Sequence, residues 1–245
     1  MIPYERRQQL AKKIKENHFV TIEQLLQEMD GVSESTIRRD LKALEEDGVI
    51  NLMRGGATKA EDAYKGNITA RLGQNQEAKE QIARCAARFV KPGDVVYLDA
   101  GSTVAAVIPY ISGMDITIVT TNILIFERMN PGITRYMTVG GYVNPADGSI
   151  GGTLTVANLD ALYFDKAFIG TTGISERSGI TAPNIQESMK KQVVMANAKE
   201  SYILADSSKV GITTMCKVCE LEAATVIMEK HVPLLDECAD YIIGE

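Results

Sequence analysis

Apolar positions recur at helical spacing through the first fifty residues. From Tyr4 to about Asn17, Leu10 and Ile14 stand among Lys12, Lys13 and Lys15, which predicts an amphipathic helix. Thr21 with Gln24 three positions on is a capping-box signal, and Ile22, Leu25, Leu26 and Met29 supply the buried face of a second helix that ends at Gly31. Ser33 caps a third, SESTIRRDLKALEEDG. In it Ile37, Leu41 and Leu44 line one face, Arg38, Arg39 and Lys42 point elsewhere, and Gly48 takes the place of a helix C-terminal glycine. VINLMRGGATK then reads as a β-hairpin turning at Gly55-Gly56. Residues 1–58 are expected to form three helices and a hairpin.

The pattern changes near Ala60. AEDAYKGNITARLGQNQ is polar, weakly periodic and interrupted by glycine, which predicts an interdomain linker over 59–75 and a second domain over 76–245. Glu77 to Phe89 is helical. KPGD then turns into VVYLDAGST, an apolar strand ending in a glycine and two hydroxyls, followed by the helix-like VAAVIPYI. Further β-branched runs fall at ITIVTTN, ITRYMTVGG, KAFIGTTGI and ESYILADSSK, with helices at about Ile123–Met129, Leu154–Leu162 and Gln186–Ala198. This alternation is the rhythm of a parallel α/β sheet. Its strands end in DAGST, TN, GG, GTTG and DSSK, where ligands of open parallel sheets sit.

Composition narrows the class without naming a function. With 245 residues, 45% hydrophobic and 24% charged, the chain is that of an ordinary folded protein of one large or two smaller domains. Disorder, collagen and a disulfide-stapled miniprotein are excluded. No run approaches the ~18 apolar residues of a membrane span, and MIPYERRQQLAKK lacks the apolar core of a signal peptide. A soluble, cytoplasmic protein with reduced cysteines and no membrane partner is expected. The net charge of -6 is unevenly spread: residues 1–60 carry 10 basic and 10 acidic side chains, leaving 16 and 22 for the rest. Only the first part tolerates a polyanion.

Two helices joined by a tight turn, the second opening with hydroxyls and arginines, can place that second helix in a DNA major groove. Ser33, Ser35 and Thr36 would meet phosphates and base edges, and Arg38, Arg39 and Lys42 would reach phosphate or guanine. The same residues also describe a solvated amphipathic helix. Over Val32 to Gly48 the chain reads VSESTIRRDLKALEEDG, which resembles the signature VSxxTIRRDLxxLxxxG of the DeoR family of bacterial transcription regulators. That resemblance implies a winged helix-turn-helix binding a double-stranded operator, with Arg54, Gly55 and Gly56 in the wing. The family's wing reads roughly R-x-H-G-G-A, whereas this chain has Leu52 at the arginine and Arg54 at the histidine, so the wing's contact to DNA must differ.

Asp99-Ala100-Gly101-Ser102-Thr103 offers backbone N–H groups, hydroxyls and a helix start to an anion, although a plain strand-to-helix turn capped by Ser102 has the same form. The DeoR-family effector domain is similar to ribose phosphate isomerase and carries DxGTT at this point, matched here by DAGST. Its TN, GG, D-x-AFIG-x-x-GI and D-x-SK segments match Thr121-Asn122, Gly140-Gly141, Asp165 to Ile174 and Asp206 to Lys209. The resemblance therefore implies an α/β architecture, a winged helix-turn-helix followed by a Rossmann-like sensor domain. It implies an effector site built from Asp99, Gly101, Ser102, Thr103, Thr121, Asn122, Gly140, Gly141, Thr171, Thr172, Glu187, Lys190 and Lys209. The phosphate is expected at the start of the helix after DAGST with Lys209, and Asp99 on the sugar hydroxyls.

Catalysis is not expected. Aldose–ketose isomerisation needs a carboxylate base and an acid partner, and where the isomerases read DGADEID this chain reads IGTTGIS. Cys216-x-x-Cys219 lacks a second CxxC, so a reduced structural pair is expected, with no metal and no cofactor. Gly140-Gly141 and Gly151-Gly152 are weak as phosphate loops. The expectation is a repressor of a carbohydrate operon, homo-oligomeric and controlled by a phosphorylated sugar. The rivals are an isomerase with a DNA-binding appendage and, less supported for want of aromatic stacking motifs, an RNA or protein interaction module.

Overall fold

The computed structural model describes residues 3–17, 20–29, 31–46, 49–53, 56–59, 68–236 and 240–244. The chain divides into two compact units, Met1–Gln74 and Asn75–Glu245. In the first, α1 (Pro3–Glu16), β1 (Val20–Thr21), α2 (Ile22–Glu28), α3 (Glu34–Glu46), β2 (Ile50–Met53) and β3 (Gly56–Lys59) share one core. Leu10 and Ile14 of α1, Leu25 of α2 and Ile37, Leu41 and Leu44 of α3 are buried there, so the helical periodicity is the packing pattern. Thr21 and Gln24 form the reciprocal capping box. The β2–β3 hairpin pairs through β3 with β1, making a three-stranded sheet. The segment expected to be linker contains a helix, α4 (Ile68–Gly73), for which the buried Ile68 supplies an apolar anchor.

The second unit is built on seven parallel strands. Along the chain run α5 (Gln76–Ala87), β4 (Val95–Leu98), α6 (Ser102–Ala105), α7 (Ile108–Ile111), β5 (Thr117–Thr120), β6 (Arg135–Thr138), β7 (Tyr142–Asn144), β8 (Ser149–Gly151), α8 (Thr153–Asp160) and β9 (Phe164–Gly170). There follow β10 (Gly173–Ser175), β11 (Gly179–Ala182), α9 (Ile185–Ala196), β12 (Ala198–Leu204), β13 (Cys216–Cys219), β14 (Thr225–Met228) and β15 (Tyr241–Ile243). The main sheet has the order β15-β14-β12-β9-β4-β5-β6. Every neighbouring pair in it is parallel.

Burial on both faces explains why these strands read as continuous apolar runs. Val96, Leu98, Ile118, Phe168, Tyr202 and Leu204 turn to the face covered by α5, α6 and α7. Tyr97, Val119, Ala167, Ile169 and Ile203 turn to the other, where Leu159 of α8, Val194 of α9 and Ile174, Ile180 and Val218 of a small β10-β11-β13 sheet cover them.

Two expectations about helices need correction, and two small sheets are additional. The helix after DAGST is a single turn, α6, separated from a second, α7, so VAAVIPYI does not form one helix; Pro109 supplies no N–H to continue the first turn's ladder. Ile123–Met129 is a 3-10 segment, Ile123–Arg128, capped by the Asn122 side chain. The β7–β8 hairpin and the β10-β11-β13 sheet were not expected.

Candidate functional site

In the first unit, α3 divides its signature between core and surface. Ile37 and Leu41 are buried, and Asp40, 6% exposed, faces inward to an ion pair with Arg6 of α1. Arg39 and Lys42 are exposed on the opposite side. Arg38 lies against Glu34 one turn earlier, 2.6 Å from its carboxylate. At the start of the helix the hydroxyls of Ser33, Ser35 and Thr36 cluster: Ser33 Oγ lies 3.0 Å from Ser35 Oγ and 2.9 Å from Thr36 Oγ1. The Thr36 N–H donates to Ser33 Oγ at 3.3 Å, the expected cap. Arg54 and Gly55 lie outside the described residues. Gly56 is buried backbone, paired with Thr21 and Met53. Leu52, at the family's arginine position, packs against the core and donates its N–H to Glu45 Oε1 at 2.8 Å, which ties α3 to β2.

The second site follows from strand order. The chain leaves β4 toward β5 and β6, then returns on its other side with β9, so β4 and β9 diverge at a topological switch point. Asp99 stands at the end of β4 and Gly170 at the end of β9. The fully buried Asp99 carboxylate accepts the Gly170 N–H at 3.1 Å and pairs with Lys191 of α9. Burial works to raise its pKa, and Lys191, Lys190 and the Ala100 N–H more than offset this, leaving it below the ordinary carboxylate value. Tyr97 OH donates toward Asp99 Oδ1 at 3.4 Å and shares a 2.9 Å hydrogen bond with Thr121 Oγ1. Burial, with Asp99 beside it, pushes that phenol well above its usual range.

Asn122, fully buried, is the brace of the loop after β4. Its Nδ2 donates to Asp99 O at 3.0 Å and Gly101 O at 2.9 Å, and its Oδ1 accepts the Leu124 N–H at 3.1 Å. The loop is thereby shaped with Gly101 at φ +123°, a conformation that side chains resist, and with Ser102 and Thr103 at its rim. On α9, Lys190 donates to Glu187 Oε1 at 2.8 Å and to Ile150 O at 3.4 Å. Lys209 follows β12 in the turn begun by Asp206, whose carboxylate accepts the Ser208 N–H and the Asn75 side chain, each at 3.0 Å.

Asp99, Gly101, Thr121 and Asn122 thus form one bonded network, and Glu187 and Lys190 join it through Lys191, whose Nζ is 3.9 Å from Glu187 Oε2. Asp99 is not placed to receive sugar hydroxyls, because its oxygens are spent on Lys191, Gly170 and Tyr97. At one turn, α6 has no appreciable dipole, so the groups near it with affinity for an anion are backbone N–H groups, hydroxyls and Lys209. Gly140 and Gly141 pack against α8: Gly140 O accepts from Thr155 Oγ1 at 2.8 Å, and a Cβ on Gly141 would meet Gly151 O at 2.6 Å. Thr171 Oγ1 closes the small sheet by donating to Gly173 O and Thr181 O at 3.1 and 3.2 Å, and Thr172 is buried.

Lys191 and Tyr97 were missed in the sequence. Lys191 was discoverable, since it lies one helical turn beyond Glu187 on the face that Val194 buries. Cys216 and Cys219 are free thiols on β13, and burial pushes the Cys219 thiol up to about 11, away from reactivity. A groove of about 460 Å³ lies at the amino ends of β9 and β12, lined by Phe164, Asp165 and Lys199. It faces away from the switch point and holds the Lys199–Asp165 pair.

Among the described residues no helix is long and apolar enough to cross a membrane. The chain is 34% identical over 93% of its length and 91% of the other's to "Uncharacterized HTH-type transcriptional regulator FruR" of Bacillus subtilis. It is 27% identical to "Lactose phosphotransferase system repressor" of Staphylococcus epidermidis, over 93% of this chain and 92% of that one. Ribose 5-phosphate isomerase A of Methanocaldococcus jannaschii aligns with 56% of this chain and 55% of its own at TM-score 0.40 and 23% identity. The DeoR-like helix-turn-helix domain matches residues 6–63 and the DeoR C terminal sensor domain residues 74–230. The chain therefore belongs to the DeoR family of helix-turn-helix transcriptional regulators.

Proposed function

We propose that this cytoplasmic regulator represses a carbohydrate operon and that a phosphorylated sugar, bound at the carboxyl end of the parallel sheet, controls its hold on DNA. The observation that carries the sensor reading is the convergence of polar strand ends at the β4–β9 switch point, braced by Asn122. The phosphate is assigned to the backbone N–H groups and hydroxyls of Ser102 and Thr103 with Lys209, and the sugar to Thr171 and Thr172, with Glu187 and Lys190 at the far side of the site. The DNA contact is assigned to Ser33, Ser35, Thr36, Arg38, Arg39 and Lys42 on α3, with Arg54, Gly55 and Gly56 in the wing. A relative named as a repressor of a lactose phosphotransferase system supports the sugar and the sign of control.

The first sixty residues have no net charge, so a single module is a weak DNA ligand. The regulator therefore acts as a homo-oligomer whose linked modules bind repeated half-sites. Catalysis is absent from this reading, since Thr171 and Thr172 cannot serve as a proton acceptor and Glu187 is held by Lys190. An effector acts only through unequal affinity for two states, so the test must measure both ligands. Duplexes selected from a random library are titrated by fluorescence anisotropy with and without phosphorylated sugars, alongside a coupled ribose phosphate isomerase assay. Enrichment of one sequence, weakened by one sugar phosphate, is the expected result; turnover without enrichment would establish the isomerase instead.

A further inference from the structure

We infer that the sheet's carboxyl end contains a second anion subsite, occupied by the protein's own Glu187, and that the effector is a phosphosugar with a second acidic group remote from its phosphate. This rests on the reading of that end as the effector site. Four ionic side chains meet there. Asp99 and Lys191 are 0% and 5% exposed and neutralise each other. Lys190 is 1% exposed, and Glu187, at 16%, is the member of the group that reaches solvent.

A lysine as deep as Lys190 retains its charge only beside an anion. Its anion is Glu187 Oε1, 2.8 Å away, and its remaining contact is the Ile150 carbonyl. The Glu187 backbone is held independently, its N–H donating to Asn184 Oδ1 at 2.9 Å, so its carboxylate can swing outward without undoing the helix cap. If a ligand carboxylate or phosphate takes its place, Lys190 stays paired and the buried charge balance is unchanged. A neutral hydroxyl in that position would leave two buried lysines, Lys190 and Lys191, to the single carboxylate of Asp99. The subsite accordingly selects an acid.

Position supports a two-ended ligand. The Ile150 N–H donates to Thr121 O at 2.8 Å, which sets Lys190's carbonyl partner at the end of β5. Lys209 lies past the end of β12, three strands away in the order β12-β9-β4-β5, or about 14 Å at ordinary strand spacing. The two lysines therefore flank the loop after β4 from opposite sides. A phosphosugar held between them presents its phosphate to Ser102, Thr103 and Lys209 and its second acid to Lys190.

Titration calorimetry of the full chain with a hexose monophosphate, a hexose bisphosphate and a 6-phosphoaldonate tests this, the last two separating a second phosphate from a carboxylate. One of the two-ended compounds should bind at least tenfold tighter than the monophosphate. Glu187→Gln, which removes the competing charge but keeps an acceptor for Lys190, should widen that ratio, and Lys190→Met should collapse it. Equal affinity of the parent for all three compounds overturns the second subsite and leaves the sensor reading intact. A ratio narrowed or unchanged by Glu187→Gln overturns it too, and because Glu187 is partly exposed this variant decides the matter should Lys190→Met not fold. If no phosphosugar binds the parent, the sensor reading fails and the subsite with it.

Discussion

Lys191 and Asp99, 92 positions apart, form an ion pair at the buried end of β4, where α9 crosses the switch point of the sheet. Each is desolvated, so neither is tolerable alone. The pair ties α9 to the strand whose following loop is assigned to the effector.

Removing one partner should therefore be costly. Lys191→Met or Asp99→Asn is expected to lose about 3–5 kcal/mol of stability in urea denaturation at pH 7, the cost of an uncompensated buried charge. The folded-state pKa of Asp99 is depressed, so its contribution is complete above the unfolded value near ~4 and is lost as pH falls through the folded value. The gap between parent and Asp99→Asn should narrow below about pH 4; a gap independent of pH would remove Asp99 from the acid response.

Asp40 and Arg39 are neighbours with separate duties. Asp40→Asn weakens the pair with Arg6 and should cost about 1–3 kcal/mol, seen as faster amide exchange in α1 and α3. Arg39→Ala should leave that exchange unchanged, because the side chain is exposed. Equal protection loss in both variants would contradict the division of α3 described above.

On DNA, Arg38→Ala and Arg39→Ala should each reduce the salt dependence of affinity by about one unit of slope for a phosphate contact, or cost about 1–3 kcal/mol and relax sequence preference for a base contact. Glu34 competes with DNA for Arg38 at 2.6 Å. Glu34→Gln should then tighten binding, most visibly at low salt. Anisotropy titrations across several salt concentrations check both, and parental binding by all three variants would misplace the recognition helix.

Gly141 has a packing reason to be glycine. A methyl there would strike Thr155 Oγ1 and meet Gly151 O at 2.6 Å, so Gly141→Ala should destabilise the sensor unit by about 1–3 kcal/mol. A parental melting temperature would show that the β7–β8 hairpin and α8 can separate freely.

The residues of the DNA-binding unit were legible because its interactions are local. Leu10, Ile14, Ile37, Leu41 and Leu44 are spaced by the helix repeat, and the Thr21–Gln24 and Ser33–Thr36 caps span three residues each. The parallel α/β character of the second unit was legible for a similar reason, since strands buried on both faces must be apolar throughout. Short strands such as β7, β10 and β13 were not, because three or four residues carry too little periodicity to separate strand from loop. The length of α6 was readable in principle, since Pro109 cannot donate an N–H to continue the ladder of the first turn. The strand-end motifs gather at one end of the sheet, as their positions along the chain implied, yet they could not say which side chains face one another. Asp99 looked like a ligand contact until the fold brought Lys191 to it from 92 residues away, and the burial of Lys190 against Glu187 was equally invisible in the sequence. Such pairings depend on strand order and helix rotation, which bring distant positions together in a low-dielectric interior where an unpaired charge cannot remain.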